Sequence, residues 1–248
     1  MRLLVFQHIA CEHPGSFRKF LARDGVDWDA VELDEGEPIP DQATLAQYDA
    51  LWVMGGPMDV WDVEEHAWLI PEKAAIRYWV RDLARPFLGL CLGHQLLADA
   101  LGGTCGPQRP PEVGVLEIEL TAEGRDDPVL GATPARQKVL NWHGVRVAQP
   151  PEDAVVLARS DVCAVQAMRV GGHAWSMQYH VEVEADTVSN WSQVPAYRTS
   201  LEGTLGADGA ARLAADADRH IPAMLASAET LYENFMRVAR SARAARPN

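Results

Sequence analysis

The chain has 248 residues, of which 48% are hydrophobic, so it is long enough to bury one large core. Its formal net charge of −13 disfavours nucleic acid and anionic membranes as partners, because both attract clustered lysine and arginine. Four cysteines without a CxxC pair indicate neither a disulfide scaffold nor a zinc site, and no apolar run is long enough for a signal peptide or a membrane span. We therefore expect a cytoplasmic protein.

The first half of the chain alternates short β-rich runs with helical stretches. Apolar runs predict strands at residues 2–7, 28–33, 50–56 and 86–90. Helical patterns lie between them at 14–25 and from about 64 to 84. Strands separated by helices are typical of βαβ units, so the pattern predicts an α/β fold whose mostly parallel central sheet is covered by helices on both faces.

From residue 104 to residue 180 the pattern changes to closely spaced strands. Strand-like runs follow at 113–120, 135–149, 154–160, 162–170 and 173–180. Gly171-Gly172, between the last two runs, indicates a hairpin. Residues 186–248 are rich in alanine and helical in pattern. We expect this C-terminal helical extension to dock on the domain formed by residues 1–185.

The segment GLCLGHQ places Cys91 where the fourth predicted strand turns into a helix. Gly89 and Gly93 relieve the crowding that such a tight turn creates. A similar turn in serine hydrolases presents the nucleophile at the sheet edge where open α/β folds bind ligands, and a helix N-terminus favours a thiolate. A buried structural cysteine is the alternative interpretation. The two flanking glycines favour a nucleophile.

The segment MQYHVEVE supplies a candidate base and a group to orient it. Residues two apart on a strand face the same side, so His180 and Glu182 could lie side by side. A cysteine nucleophile needs such a base, and the base needs an orienting partner that fixes its tautomer. The alternative is an exposed strand end with both side chains in water. Combined with the Cys91 turn, the pair predicts a catalytic triad.

The segment WVMGGPMDV contains candidate oxyanion donors. Acyl transfer needs N–H groups aimed at the developing oxyanion. Gly55 and Gly56 follow a predicted strand, where the backbone can approach a substrate closely. Pro57 has no N–H, so we expect one donor from Gly56 and the second from Leu92, the residue after the nucleophile. Taken alone, Gly-Gly-Pro would indicate only a loop.

Together, GLCLGHQLLADALGG, MGGPMDV and MQYHVEVE resemble the class I (triad) glutamine amidotransferases, above all stand-alone proteins similar to the glutaminase half of GMP synthase. The family's G-x-C-x-G-[HQ]-Q pattern matches residues 89–95, and its Gly-Gly-Pro matches 55–57. Its His-Pro-Glu matches His180 to Glu182, with Val181 in place of the proline.

The resemblance implies a flavodoxin-like three-layer sandwich and hydrolysis of the glutamine side-chain amide through a Cys91 thioester, giving glutamate and ammonia. It further implies that Gln95 and Gly55 contact the substrate and that the segment NWHGV lines the pocket, where we expect His143 to act in positioning. It implies no cofactor and no metal.

Three readings of the function stay open on the sequence. A separate synthase subunit could receive the ammonia, because the chain carries no Gly-rich ATP-pyrophosphatase loop. A self-sufficient γ-glutamyl peptidase or hydrolase, acting on glutathione-like compounds, is the second. The third is a non-catalytic protein of the same fold whose cysteine senses oxidants or binds a ligand. Such proteins typically lack the distant His-x-Glu pair that this chain has.

Overall fold

A nine-stranded sheet forms the centre of the structure, a computed structural model that describes residues 1–246. Its strands in chain order are β1 (Arg2–Gln7), β2 (Asp27–Glu32), β3 (Ala50–Val53), β4 (Phe87–Leu90), β5 (Thr104–Leu120), β6 (Arg136–Gln149), β7 (Ala154–Arg159), β8 (Ala167–Val170) and β9 (Ala174–Met177). They lie side by side in the order β2-β1-β3-β4-β9-β8-β7-β5-β6.

Helices fill the connections and the C-terminal part of the chain. They are α1 (Phe17–Arg23), α2 (Gln42–Leu45), α3 (Leu69–Arg77), α4 (Leu92–Ala100), α5 (Ala122–Arg125), α6 (Thr187–Trp191), α7 (Pro195–Leu205) and α8 (Gly209–Ala244). A π-helical turn, Tyr78–Asp82, continues α3. Although α8 has 36 residues, no helix within residues 1–246 combines the length and apolar character needed to cross a membrane.

The α/β class is confirmed, but the prediction of a mostly parallel sheet is wrong. Strands β2, β1, β3, β4 and β9 are parallel to one another, whereas the four neighbouring pairs from β9 to β6 are antiparallel. The longest ladder, β5 with β6, joins twelve residue pairs in the antiparallel half. The connections from β7 to β8 and from β8 to β9 contain no helix, and parallel neighbours need a crossover of a dozen or more residues. The hairpin predicted at Gly171-Gly172 joins β8 to β9.

Helices pack on both faces of the sheet. On one face Trp52 of β3 meets Phe17 of α1 and Phe235 of α8, with ring centroids 5.3 and 6.0 Å apart. On the other face Trp79 and Leu96, both completely buried, belong to the core that α3 and α4 build against the strands. Helix α8 therefore shares the main core. The division of the chain after residue 185 stays a prediction, and positions 247 and 248 of the predicted extension lie outside the described residues.

The parallel half of the sheet determines where the predicted site residues meet. Strands β1, β3, β4 and β9 run in the same direction, so their carboxyl ends share one edge, which is where open α/β sheets bind ligands. The first residues after these strands are His8, Met54, Cys91 and Gln178, respectively, and Gly55 and Gly56 follow Met54.

Candidate active site

Cys91 stands in the single-residue turn between β4 and α4. Its backbone angles are φ 50° and ψ −102°, a strained conformation for a residue with a side chain. Its N–H donates to the carbonyl of Met177 on β9 at 2.8 Å, which anchors the turn to the neighbouring strand. The residue is 6% exposed. This geometry is the one that the flanking glycines predicted.

The two glycines are required by close backbone contacts. A Cβ on Gly93 would lie 2.1 Å from the carbonyl oxygen of Val53 on β3. A Cβ on Gly89 would lie 2.5 Å from the carbonyl oxygen of Gly93. Both distances are shorter than any tolerated contact, so the turn holds its shape only with hydrogen at both positions.

His180 and Glu182 form a buried pair at the end of the chain segment that follows β9. The Nδ1 of His180 donates to Oε1 of Glu182 at 2.7 Å, and Oε2 accepts from the N–H of Val181 at 2.9 Å. Val181, which replaces the proline of the family pattern, therefore supplies a hydrogen bond that proline could not make. The ring of Trp191 packs edge-on against the imidazole, 4.4 Å away.

The charges around His180 favour its protonated form. Burial alone would lower the pKa of His180, but Glu182, the Cys91 thiol and Glu12 outweigh it and hold the pKa well above its usual value. Among these groups Glu182 makes the largest contribution to stabilising the imidazolium. The structure thus brings the three predicted triad residues together.

Gln178 is a site residue that the sequence analysis missed. Its Nε2 donates to Cys91 Sγ at 3.7 Å, and its Oε1 accepts from Nε2 of Gln95 at 3.2 Å. Gln95 also donates to the carbonyl of Val145 at 3.2 Å. Gln178 lies two residues before His180, so the same strand periodicity that paired His180 with Glu182 could have identified it.

Glu12 is a second missed residue. Its Oε1 accepts from the hydroxyl of Tyr197 at 2.6 Å, whereas its Oε2 has no partner within residues 1–246. Burial and the nearby Glu182 raise the pKa of Glu12 against the opposing effects of His180 and Tyr197. A Cβ on Gly55 would lie 2.5 Å from Oε2, so a side chain at this position would displace the Glu12 carboxylate. No sequence pattern marks this contact.

The same carboxylates could in principle hold a cation. Ligand atoms of Glu12, His180 and Glu182 all lie within 4.8 Å of one another. The His180 and Glu182 atoms already share a hydrogen bond. The expectation of a site without a metal stays a prediction.

The two predicted oxyanion donors lie on adjoining segments. The Gly56 N–H forms no hydrogen bond within residues 1–246. In the first turn of α4 the N–H of Gly93 donates to Met54, and those of His94 and Gln95 donate to Cys91. The Leu92 N–H is left without an acceptor in that turn.

A cavity of about 190 Å³ opens beside Cys91. Its wall includes Gly56, Leu92 and Gln95 and, from the helical extension, Ala196, Tyr197 and Ser200. Gly55 is buried behind Gly56 and is not part of the wall.

His143 lines the cavity, but its ring atoms are engaged elsewhere. Its Nδ1 donates to the carbonyl of Val145 at 2.9 Å. Its Nε2 lies 3.0 Å from Oε2 of Glu112 without forming a hydrogen bond. This bond is local, because His143 and Val145 both belong to β6, so the positioning role of His143 stays a prediction.

Comparison with known proteins shows similarity to glutamine amidotransferases. The family model described as glutamine amidotransferase class-I matches residues 15–189. A GMP synthase [glutamine-hydrolyzing] of Aeropyrum pernix is 37% identical over 71% of this chain, and the chain spans only 32% of that synthase. Gamma-glutamyl peptidase 3 of Arabidopsis thaliana is 26% identical over 68% of this chain and 69% of its own length. The crystal structure of a glutamine amidotransferase from Methylobacillus flagellatus superposes with a TM-score of 0.84 at 28% identity, covering 95% of this chain and 94% of that one.

Proposed function

This chain belongs to the class I glutamine amidotransferase family, and we propose that it hydrolyses the side-chain amide of glutamine to glutamate and ammonia. The observation that carries the proposal is the buried series Cys91, His180 and Glu182, with a hydrogen bond of 2.7 Å between the last two. Cys91 in its turn faces a cavity large enough for a glutamine side chain.

In the first half of the reaction the Cys91 thiolate attacks the amide carbon of the substrate. The carbonyl electron pair moves to the oxygen, which accepts hydrogen bonds from the N–H groups of Gly56 and Leu92. Collapse of this intermediate breaks the C–N bond. Ammonia leaves with the proton that it receives from the His180 imidazolium, and a thioester to Cys91 remains.

In the second half, neutral His180 takes a proton from a water molecule, which attacks the thioester carbon. The oxyanion again forms against Gly56 and Leu92, and its collapse expels the Cys91 thiolate and releases glutamate. His180 is left protonated, so the imidazolium–thiolate pair is restored. Glu182 keeps the proton on Nδ1 throughout, which leaves Nε2 for the transfers.

Gln95 and the strand that carries His143 would bind the remainder of the substrate. Gln95 lines the cavity, and its amide is fixed between Val145 and Gln178. We propose that the enzyme acts in the cytoplasm, where its four free cysteines remain reduced, without cofactor or metal. A separate synthase subunit would receive the ammonia.

One observation favours a second candidate, a self-sufficient γ-glutamyl peptidase. The cavity wall includes Ala196, Tyr197 and Ser200 of α7. The chain therefore supplies by itself a part of the wall that a partner subunit could otherwise supply. The similarity to the Arabidopsis peptidase covers most of that protein.

The test compares three substrates: glutamine, glutathione and a γ-glutamyl anilide, with release of ammonia, glutamate and the aniline measured separately. Hydrolysis of glutamine that Cys91→Ser abolishes and Cys163→Ser preserves is the expected result. Turnover of glutathione with glutamine ignored would replace the first candidate by the second. Failure to cleave all three compounds would contradict both.

A further inference from the structure

A second buried histidine–glutamate pair lies directly behind the predicted oxyanion loop. His8 is the first residue after β1 and Gly55 is the second after β3. Phe6 pairs with Val53, so the same register continued by two residues places His8 opposite Gly55. His8 Nδ1 lies 2.9 Å from the carbonyl oxygen of Gly55. Its Nε2 lies 2.9 Å from Oε1 of Glu72 on α3.

The partners determine the protonation of the ring at Nδ1. A backbone carbonyl can only accept a hydrogen bond, so Nδ1 must carry the proton. Nε2 then either donates to the Glu72 carboxylate or accepts from the protonated acid. Burial lowers the pKa of His8, but Glu72 outweighs it and the pKa is raised. In either state the Nδ1–H stays directed at Gly55.

This bond also fixes the direction of the next N–H. The carbonyl of Gly55 and the N–H of Gly56 belong to one trans peptide unit, in which the two groups point in opposite directions. When His8 holds the Gly55 oxygen on its side, the Gly56 N–H must face the other way. Gly56 lies in the cavity wall beside Cys91 and Leu92.

We propose that His8, held by Glu72, is a positioning residue that keeps the Gly56 N–H directed into the oxyanion site. The proposal rests on the proposed function, because it assigns a purpose to the orientation of that donor. A glycine pair without side chains would otherwise allow the peptide unit to rotate. Trp68 stacks on His8 with ring centroids 5.5 Å apart and restricts the ring further.

His143 of the cavity wall shows a related arrangement, although its carbonyl partner lies two residues along the same strand. There, too, one ring nitrogen binds a backbone carbonyl and the other faces a buried glutamate. His180 differs, because its ring has one carboxylate partner and its second nitrogen is left for the thiol. The histidines of two buried pairs, His8 and His143, thus bind backbone carbonyl groups. Of the three, only His180 has a ring nitrogen left for the proposed proton transfers.

The test uses a matched pair of double variants. His8→Phe with Glu72→Met removes both polar partners together, so that no unpaired carboxylate stays buried. His8→Asn with Glu72→Met restores an N–H donor near the position of Nδ1, although it gives up the ring that stacks on Trp68. His173→Phe is the control, since His173 also contacts a backbone carbonyl, that of Val80 at 2.9 Å, away from the cavity.

We expect the Phe/Met variant to lose about 10²–10³ in kcat, the value of one oxyanion donor, with KM within about threefold of the parent. Alkylation of Cys91 by iodoacetamide should stay unchanged, because it needs the triad and not the oxyanion site. The kcat of the Asn/Met variant should be at least about tenfold higher than that of the Phe/Met variant. The kcat of His173→Phe should equal that of the parent.

A crystal structure of the Phe/Met variant separates this proposal from the proposed function. We expect the Gly55–Gly56 peptide unit to be rotated there and restored in the Asn/Met variant. An unrotated peptide with kcat within threefold of the parent would overturn the positioning role. If the parent hydrolyses no γ-glutamyl compound, the proposed function fails, and the orientation of the peptide alone decides whether His8 holds it.

Discussion

Replacing Glu182 by glutamine tests whether the Glu182 carboxylate sets the protonation of His180. Both carboxylate oxygens accept hydrogen bonds, one from His180 and one from the Val181 N–H. An amide has a single oxygen, so in either orientation one of its N–H groups must face another donor or force His180 into the wrong tautomer. The substitution also removes the charge that does most to raise the pKa of His180.

The expected magnitude follows from the 2.7 Å bond between buried groups. A hydrogen bond to a charged partner contributes about 1.5–3 kcal/mol, and 1.4 kcal/mol is a factor of ten. The imidazolium–thiolate form should therefore become about ten- to a hundredfold less populated relative to the neutral pair. Hydrolysis should fall by at least the same factor, since both the thiolate and the proton donor are lost together.

The assay is the rate of Cys91 alkylation by iodoacetamide at pH 7, which follows the thiolate population and needs no substrate. Glu184→Gln is the matched control, because Glu184 binds Arg18 and Lys19 near the surface and should leave the rate unchanged. An alkylation rate in Glu182→Gln within twofold of the parent would refute the electrostatic reasoning, even if hydrolysis were lost.

Three further predictions concern the cysteines, the turn and the buried acid. Cys91 should be alkylated at pH 7 well before the other three thiols, whose pKa burial raises to about 11 or 12; equal labelling by peptide mass spectrometry would contradict this. Gly93→Ala should destabilise the fold by about 3 kcal/mol, because its Cβ meets Val53, whereas Gly203→Ala on open helix surface should stabilise it by about 0.5–1 kcal/mol in urea unfolding. The pKa of Glu12 is higher in the folded state than in the unfolded chain. The free energy of unfolding therefore falls as the pH rises from the unfolded-state pKa of Glu12 through its folded-state pKa. Glu12→Gln should therefore raise Tm more at pH 8 than at pH 4, and an equal shift at both would argue against it.

The sequence predicted those parts of the candidate site whose residues lie close together in the chain. Gly89, Cys91 and Gly93 describe one turn, and His180 with Glu182 follows from the period of a strand. The contacts of Glu12 and of His8 join residues 43 or more positions apart, for example His8 with Glu72. No local pattern contains such a pairing, because it depends on which strands become neighbours.

The error about strand direction has a similar origin. The βαβ pattern of the first half was extended to a second half whose connections are too short for crossovers, as Gly171 and Gly172 already indicated. Apolar density in a strand reports that both faces are covered, and it is the length of the connection that decides direction. Connection length was therefore the informative signal between residues 154 and 177.

The site is wider than the segment that defines the family. The family match spans residues 15–189, yet Trp191 packs on His180, Tyr197 binds Glu12, and both His8 and Glu12 precede the match. The candidate site is therefore not contained in the matched segment alone. A graft of residues 15–189 onto another scaffold would carry Cys91, His180, Glu182 and the glycine loop, but would leave behind His8, Glu12, Trp191 and Tyr197, which contact these groups or one another. Substitutions at either end of the chain, outside the three motifs, should therefore change the surroundings of Cys91 and His180.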